Sequence, residues 1–154
     1  MEHGDVDAVL LLFDQVAAER MWIGTEPGYD RVRYRDMFGF SLSNGNGMFV
    51  ALRQGSVVGV ITEYQHDPYG HTIGMLVDEA HRGCGIGTAL LGRLVDWARE
   101  RYVAHLSLLV FPHNERALAL YRKFDFIEVD AQAIQIQRKN GEAWDAMLMR
   151  KDLR

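Results

Sequence analysis

Three glycines alternate with other residues in Arg82-Gly83-Cys84-Gly85-Ile86-Gly87, and Thr88 follows. Behind them Ile86, Leu90, Leu94, Trp97 and Ala98 recur at three-and-four spacing, so the glycines open a helix. Such a helix start turns unpaired backbone N–H groups and the positive end of the helix dipole outward with no side chains in the way, which is the chemistry of phosphate binding. A tight turn, with glycine supplying positive φ and close packing, would use the same residues. Spacing narrows the ligand. A nucleoside-triphosphate loop ends in Gly-Lys-Ser/Thr, and this segment has no lysine. The dinucleotide fingerprint wants its third glycine where Thr88 or Leu90 stands, counting from Gly83 or Gly85. An acidic residue to hold a ribose hydroxyl should end a second strand about 20 residues on, but Glu100 lies on the tail of the helix. A nucleotide-binding oxidoreductase is therefore disfavoured.

The elements around this loop read as one mixed α/β domain over residues 1–154. Val9, Leu10, Phe13, Val16, Ala17 and Met21 mark the apolar face of a first helix that runs from Val6 toward Gly24. Gly24, Pro27 and Gly28 make a loop, and residues 30–42 a second helix of poorer pattern. Residues 48–53, 56–64 and 71–77, divided by Gln54-Gly55 and Asp67-Pro68-Tyr69-Gly70, form an antiparallel meander. After the glycine helix come a strand at 106–111, a short helix with Ala117, Leu120, Tyr121 and Phe124 on its apolar face, and strands at 126–137 and 143–149.

Composition excludes several classes. Lys and Arg total 17 against 21 Asp and Glu, a net charge of −4, which gives no field to draw nucleic acid. Cys84 is the single cysteine and cannot form an internal disulfide, and the six histidines lack paired ligand spacing, so no metal is expected. The start of the chain is acidic rather than basic, and no apolar run reaches the roughly 18 residues of a membrane span, so no membrane association and a soluble, cytoplasmic protein are expected.

The glycine segment matches the Arg/Gln-x-x-Gly-x-Gly/Ala signature of the GNAT superfamily of acyl-CoA-dependent N-acetyltransferases. Residues 114–126, Asn114-Glu115-Arg116-Ala117-Leu118-Ala119-Leu120-Tyr121-Arg122-Lys123-Phe124-Asp125-Phe126, resemble its second signature, Asn-x-x-Ala-x-x-Leu-Tyr-x-Lys-x-Gly-Phe, with Asp125 in place of the glycine. Aspartate takes the left-handed conformation wanted after a helix end at modest cost, so the departure touches the helix exit more than the chemistry. The resemblance is close from His71 to Phe126. Outside it only the element order agrees, and the family's strand before the first helix is either absent or lies upstream of Met1.

The resemblance implies a mostly antiparallel central sheet with helices on both faces. Its parallel strands at 71–77 and 106–111 would splay to admit the pantetheine of acetyl-CoA, with a homodimer plausible. It implies that Arg82 and the N–H groups of Gly83, Cys84, Gly85, Ile86, Gly87 and Thr88 clasp the pyrophosphate. Met75, Leu76 and Val77 would lie beside the pantetheine, a backbone N–H near Leu76 serving the thioester oxygen. Asn114, Ala117 and Lys123 belong to the cofactor side, with Arg116 or Arg122 as further partners of the 3′-phosphate. Tyr121 would donate to the departing sulfur. His71, with Glu63 competing, is the expected base. The expected function is acetyl transfer from acetyl-CoA to a small-molecule or peptide amine, and the alternative is a catalytically silent acyl-CoA sensor. Glu26, Asp30 and Asp145 are the acids expected to attract a cationic acceptor.

Overall fold

A computed structural model describes residues 1–129 and 134–154. The chain enters through a 3-10 turn, His3–Asp5, into helix α1, Val6–Ala18, which buries Val6, Val9, Leu10, Leu12, Val16 and Ala17. The helix ends earlier than its apolar spacing suggests, because Arg20 adopts φ 57° and turns the chain out of the helix before Gly24. Helix α2, Arg31–Ser43, begins where the Asp30 carboxylate accepts the Arg33 N–H at 2.9 Å. It buries only Phe38 and Ser41, which accounts for its weak periodicity in sequence.

Strands β1, Met48–Arg53, β2, Ser56–His66, and β3, Gly70–Val77, make the expected antiparallel meander. Helix α3, Ile86–Glu100, leads to β4, His105–Val110, and then to helix α4, Glu115–Lys123. Asp125 takes φ 61° just beyond α4, the left-handed exit that the sequence assigns to it. The strand expected over 126–137 is instead two short pieces, β5, Ile127–Glu128, and β6, Ile134–Gln137. The expected residues 130–133 of that strand lie outside the described ones. Strand β7, Ala143–Asp152, runs longer than the apolar pattern suggested and pairs with β4, β5 and β6.

The sheet order is β1-β2-β3-β4-β7-β5, antiparallel except at the β3–β4 junction. Helices cover both faces. On one, α1 and α2 pack Val9, Leu10 and Phe38 against Val60 and Leu76. On the other, α3 and α4 pack Leu91, Leu94 and Tyr121 against Ile61, Leu106 and Leu108. Each fully buried leucine here contributes roughly 1.5–3 kcal/mol. Among the described residues no helix is long and apolar enough to cross a membrane.

Candidate active site

The parallel pair β3–β4 holds together at one register position only, Thr72 opposite Ser107. Beyond it the strands diverge, and a cleft of about 1150 Å³ opens between them, lined on the β3 side by Gly74, Met75, Leu76 and Val77 and on the other by Leu109, Val110 and Phe111. Backbone polarity along β3 fixes which groups face the gap. The Asp78 N–H donates to the Val58 carbonyl of β2 at 2.9 Å. Main-chain groups alternate sides along a strand, so Leu76, opposite Val60, also turns its N–H into the β2 ladder. Met75 and Val77 face the diverged side. The expectation that Leu76 supplies the free donor is thus corrected by one residue, because a strand edge exposes every second N–H.

At the mouth of this gap Gly83 and Gly85 have φ of 77° and 84°, and a Cβ on either would meet nothing within 4 Å. Their glycines answer to backbone conformation. Gly87 answers to packing, since a Cβ there would come within 3.1 Å of Leu120 on α4 and 3.5 Å of Met75. The first helical bond of α3 runs from the Ala89 N–H to the Gly85 carbonyl, which leaves the N–H groups of Ile86, Gly87 and Thr88 without backbone partners among the described residues one turn back. Gly83, Gly85, Gly87 and Thr88 line the cleft. The side chains of Cys84 and Ile86 turn elsewhere: Cys84 is exposed, and Ile86 packs over Gly59.

Arg82 lines the cleft but is engaged within the protein. Its Nε donates to the Val77 carbonyl at 3.0 Å, and Nη1 and Nη2 reach Glu19 at 2.7 and 2.5 Å. The Trp22 indole donates to the same carboxylate at 2.6 Å. The hydrogen bonds from Arg82 hold the Glu19 carboxyl below the usual range. The guanidinium expected to clasp pyrophosphate is therefore a strut between the glycine loop and the end of α1. Sequence alone offered no pointer to Glu19.

On the facing side Asn114 caps α4 by accepting the Ala117 N–H at 3.3 Å, and Asn114, Arg116, Ala117 and Tyr121 line the cleft. Arg122 and Lys123 do not, and both are exposed in the last turn of α4. Tyr121 is buried, and burial pushes its phenol up to about 12. Among the described residues its hydroxyl has no hydrogen-bond partner.

His71 lies elsewhere. Facing the α3 side of the sheet, it pairs through Nδ1 with Glu63 at 2.9 Å and contacts Gln65, in a separate cavity walled by Trp97 and His105. Strand alternation explains the correction: Glu63, Gln65 and His71 share one face, while Thr62, Tyr64 and His66 line the cleft on the other. His66, His81 and His113 are the imidazoles that line the cleft, and of these His66 stands on β2, stacked on Tyr69 with centroids 5.3 Å apart.

The acids assigned to the acceptor are also occupied or outside. Glu26 is buried beside Arg138 and accepts the Lys139 N–H, Asp30 caps α2, and exposed Asp145 accepts from Gln135. The loop between α1 and α2 borders the cleft through Trp22, Ile23, Gly24 and Thr25, and the C-terminal hairpin adds Ile136 and Ala146. What fixes that loop is Arg138, whose side chain is 2% exposed. It donates to the carbonyls of Arg20, Ile23 and Gly24 and lies 4.4 Å over the Trp144 ring. A lone arginine in a polar hairpin carries no signal of such a role.

Comparison with known proteins agrees with this geometry. Residues 13–126 match the Acetyltransferase (GNAT) family. The Bacillus subtilis (strain 168) protein YwnH is 29% identical over 99% of this chain and 96% of its own length. The crystal structure of ribosomal-protein-alanine N-acetyltransferase from Brucella melitensis superposes with a TM-score of 0.86 at 27% identity, covering 99% of this chain and 97% of the other. That of a phosphinothricin acetyltransferase from Sinorhizobium meliloti in complex with AcCoA has the same fold, with a TM-score of 0.86 at 19% identity over 99% of this chain and 85% of that one. A diverging parallel strand pair, a glycine-opened helix and the family match together place this chain in the GNAT family of acetyltransferases.

Proposed function

We infer that this chain moves the acetyl group of acetyl-CoA to a primary amine by direct attack within a ternary complex. The observation that carries the reading is Tyr121, a buried side chain that lines the same cleft as the diverged edge of β3 and the open start of α3. The glycine-loop N–H groups would take the pyrophosphate, and Arg116 the adenosine phosphate. The pantetheine would run along Met75 and Val77 in the gap that β4 leaves.

In the reaction the amine lone pair forms a C–N bond to the thioester carbon, and the carbonyl electrons move to oxygen. The Met75 N–H donates to that oxyanion, a contribution worth roughly a hundred- to a thousandfold in rate for a well-placed donor. Collapse breaks the C–S bond, and Tyr121 protonates the leaving thiolate. A phenol raised by burial stays protonated at neutral pH and is ready to donate. The amine's proton passes to His66, the cleft-lining imidazole on the same face of β2 as Thr62 and Tyr64. No side chain forms a covalent intermediate.

Thiol release from acetyl-CoA with a panel of primary amines, beside calorimetry of coenzyme A binding, tests the reading. Amine-dependent release that falls in Tyr121→Phe while coenzyme A affinity holds is expected. Tight coenzyme A binding with no release for any amine would make the chain an acyl-CoA-binding module instead.

A further inference from the structure

The acceptor half of the cleft has a chemical character of its own. On the face of the sheet covered by α1 and α2 it is walled by aromatic rings: Phe13 lies 5.6 Å from Tyr34 and 5.5 Å from Phe38, and Tyr34 is 6.1 Å from Phe38. Tyr64 closes the sheet side, its Cε1 3.8 Å from the Cβ position of Gly74, the residue before Met75. The polar groups among these rings are two threonines, with His66 further along β2. Thr25 shares a hydrogen bond with Tyr34 at 2.8 Å, and Thr62 sits beside Gly74.

Fixed charge in the cleft is confined to the cofactor end. Glu79 and Arg82 adjoin the glycine loop, and Glu115 and Arg116 begin α4. Arg82 is already matched by Glu19. No lysine, arginine, aspartate or glutamate among the described residues lines the aromatic end. A carboxylate entering there would leave water for a wall of rings without a counter-charge, at a cost that an uncharged body avoids, and a second ammonium would meet ring faces but no carboxylate. The reacting amine itself suffers no such penalty, because attack requires its neutral form and a dry compartment favours losing the proton.

We propose that the acceptor is a primary monoamine on an uncharged aromatic or branched apolar body, rather than an amino acid, a polyamine or a peptide N-terminus. This rests on the acetyl-transfer reading and goes further by naming which amine the site selects. Ring walls favour a flat or branched body through burial, and without a lysine or arginine at that end a carboxylate has no fixed counter-charge.

The test measures kcat/KM by thiol release with the full chain, using 2-phenylethylamine, phenylalanine, spermidine and a tripeptide beginning with alanine. Phenylalanine differs from 2-phenylethylamine by one carboxylate. At least about a tenfold preference for 2-phenylethylamine over each of the others is expected, the scale of one uncompensated charge. Met37, 39% exposed at the cleft mouth, offers a second handle. M37R should narrow the gap between phenylalanine and 2-phenylethylamine by about tenfold, since a guanidinium can pair the carboxylate. Equal or faster turnover of phenylalanine, spermidine or the peptide overturns the inference while leaving acetyl transfer standing, and so does a ratio that M37R leaves unmoved. Bound acetyl-CoA with no thiol release for any amine overturns acetyl transfer itself.

Discussion

Arg82 holds both carboxylate oxygens of Glu19, a residue 63 positions earlier, while its Nε stays on the Val77 carbonyl. One guanidinium thereby ties the glycine loop to β3 and to the end of α1. The Trp22 indole shares the same carboxylate, so the loop that borders the acceptor end is tied to the loop that would hold the cofactor.

Glu19→Gln should loosen both loops together. Hydrogen bonding to Arg82 depresses the Glu19 carboxyl in the folded chain, so its stabilisation is present above the ordinary carboxylate range and is lost as pH falls through the folded value. Acid unfolding followed by circular dichroism should show a shallower acid limb in the variant. Because the pair is partly solvated, the loss at neutral pH should be about 1 kcal/mol. The Michaelis constants for acetyl-CoA and for the amine should rise in parallel, whereas a purely cofactor-side contact would move only the first.

How much of this was legible beforehand follows from the range of each interaction. The meander, the glycine helix and α4 are written in local periodicity and turn residues, and they appear at nearly the expected bounds. Gly83 and Gly85 were readable because φ is a local property, and Asp125 for the same reason. Which face His71 takes was not, since alternation along β2 and β3 places it only once the helices have chosen their sides of the sheet. The one-residue shift from Leu76 to Met75 needs the register of the ladder. Arg138 and Glu19 act across more than 60 residues of chain, where spacing carries no information.

Tyr121→Phe removes a hydroxyl that bonds to nothing among the described residues, so the fold should keep its melting temperature within a degree or two. Turnover should fall about a hundredfold, the ordinary scale of a positioned general acid. With the phenol pushed up to about 12, no loss of rate from its ionisation is expected below about pH 10. A stopped-flow pH profile of wild type against variant checks both statements.

The glycine loop should separate its two kinds of glycine. Gly85→Ala forces a side chain to φ 84° and costs about 1 kcal/mol of strain, with no collision to relieve. Coenzyme A affinity by calorimetry should fall with little change in α4. Gly87→Ala instead presses on Leu120 at 3.1 Å, and should move α4 and with it Tyr121. Its signature is a lower kcat at a nearly unchanged coenzyme A affinity.

His71 should prove to hold the fold, and His66 to serve the reaction. His71→Ala leaves buried Glu63 without its imidazole partner, and a buried carboxylate that loses a hydrogen bond costs about 1–3 kcal/mol. Urea unfolding should register that loss while the pH dependence of kcat/KM keeps its shape. His66→Ala should do the reverse, lowering kcat/KM by about a hundredfold with little effect on the unfolding midpoint. If that variant keeps the wild-type kcat/KM, the proton leaves through water and His66 has no part in its transfer.

Arg138 offers the sharpest separation between holding the fold and shaping the acceptor end. Its guanidinium is enclosed by Trp144 and Phe111, bonded to three carbonyls of the α1–α2 loop and placed 3.5 Å from the Glu26 carboxylate. Arg138→Met keeps the apolar stem against the rings but removes every donor, stranding Glu26 at 9% side-chain exposure. Breaking one side of such a pair costs roughly 3–5 kcal/mol, and Arg138→Met with Glu26→Gln should recover part of it by removing the stranded charge. In both variants the loop at 20–29 should become a protease target, because its carbonyls have lost their anchor. The amine's KM should rise well ahead of that for acetyl-CoA, since Trp22, Ile23 and Thr25 border the acceptor end while the glycine loop keeps its own strut to Glu19. Equal rises in the two constants would mean that Arg138 supports the whole cleft rather than its acceptor end.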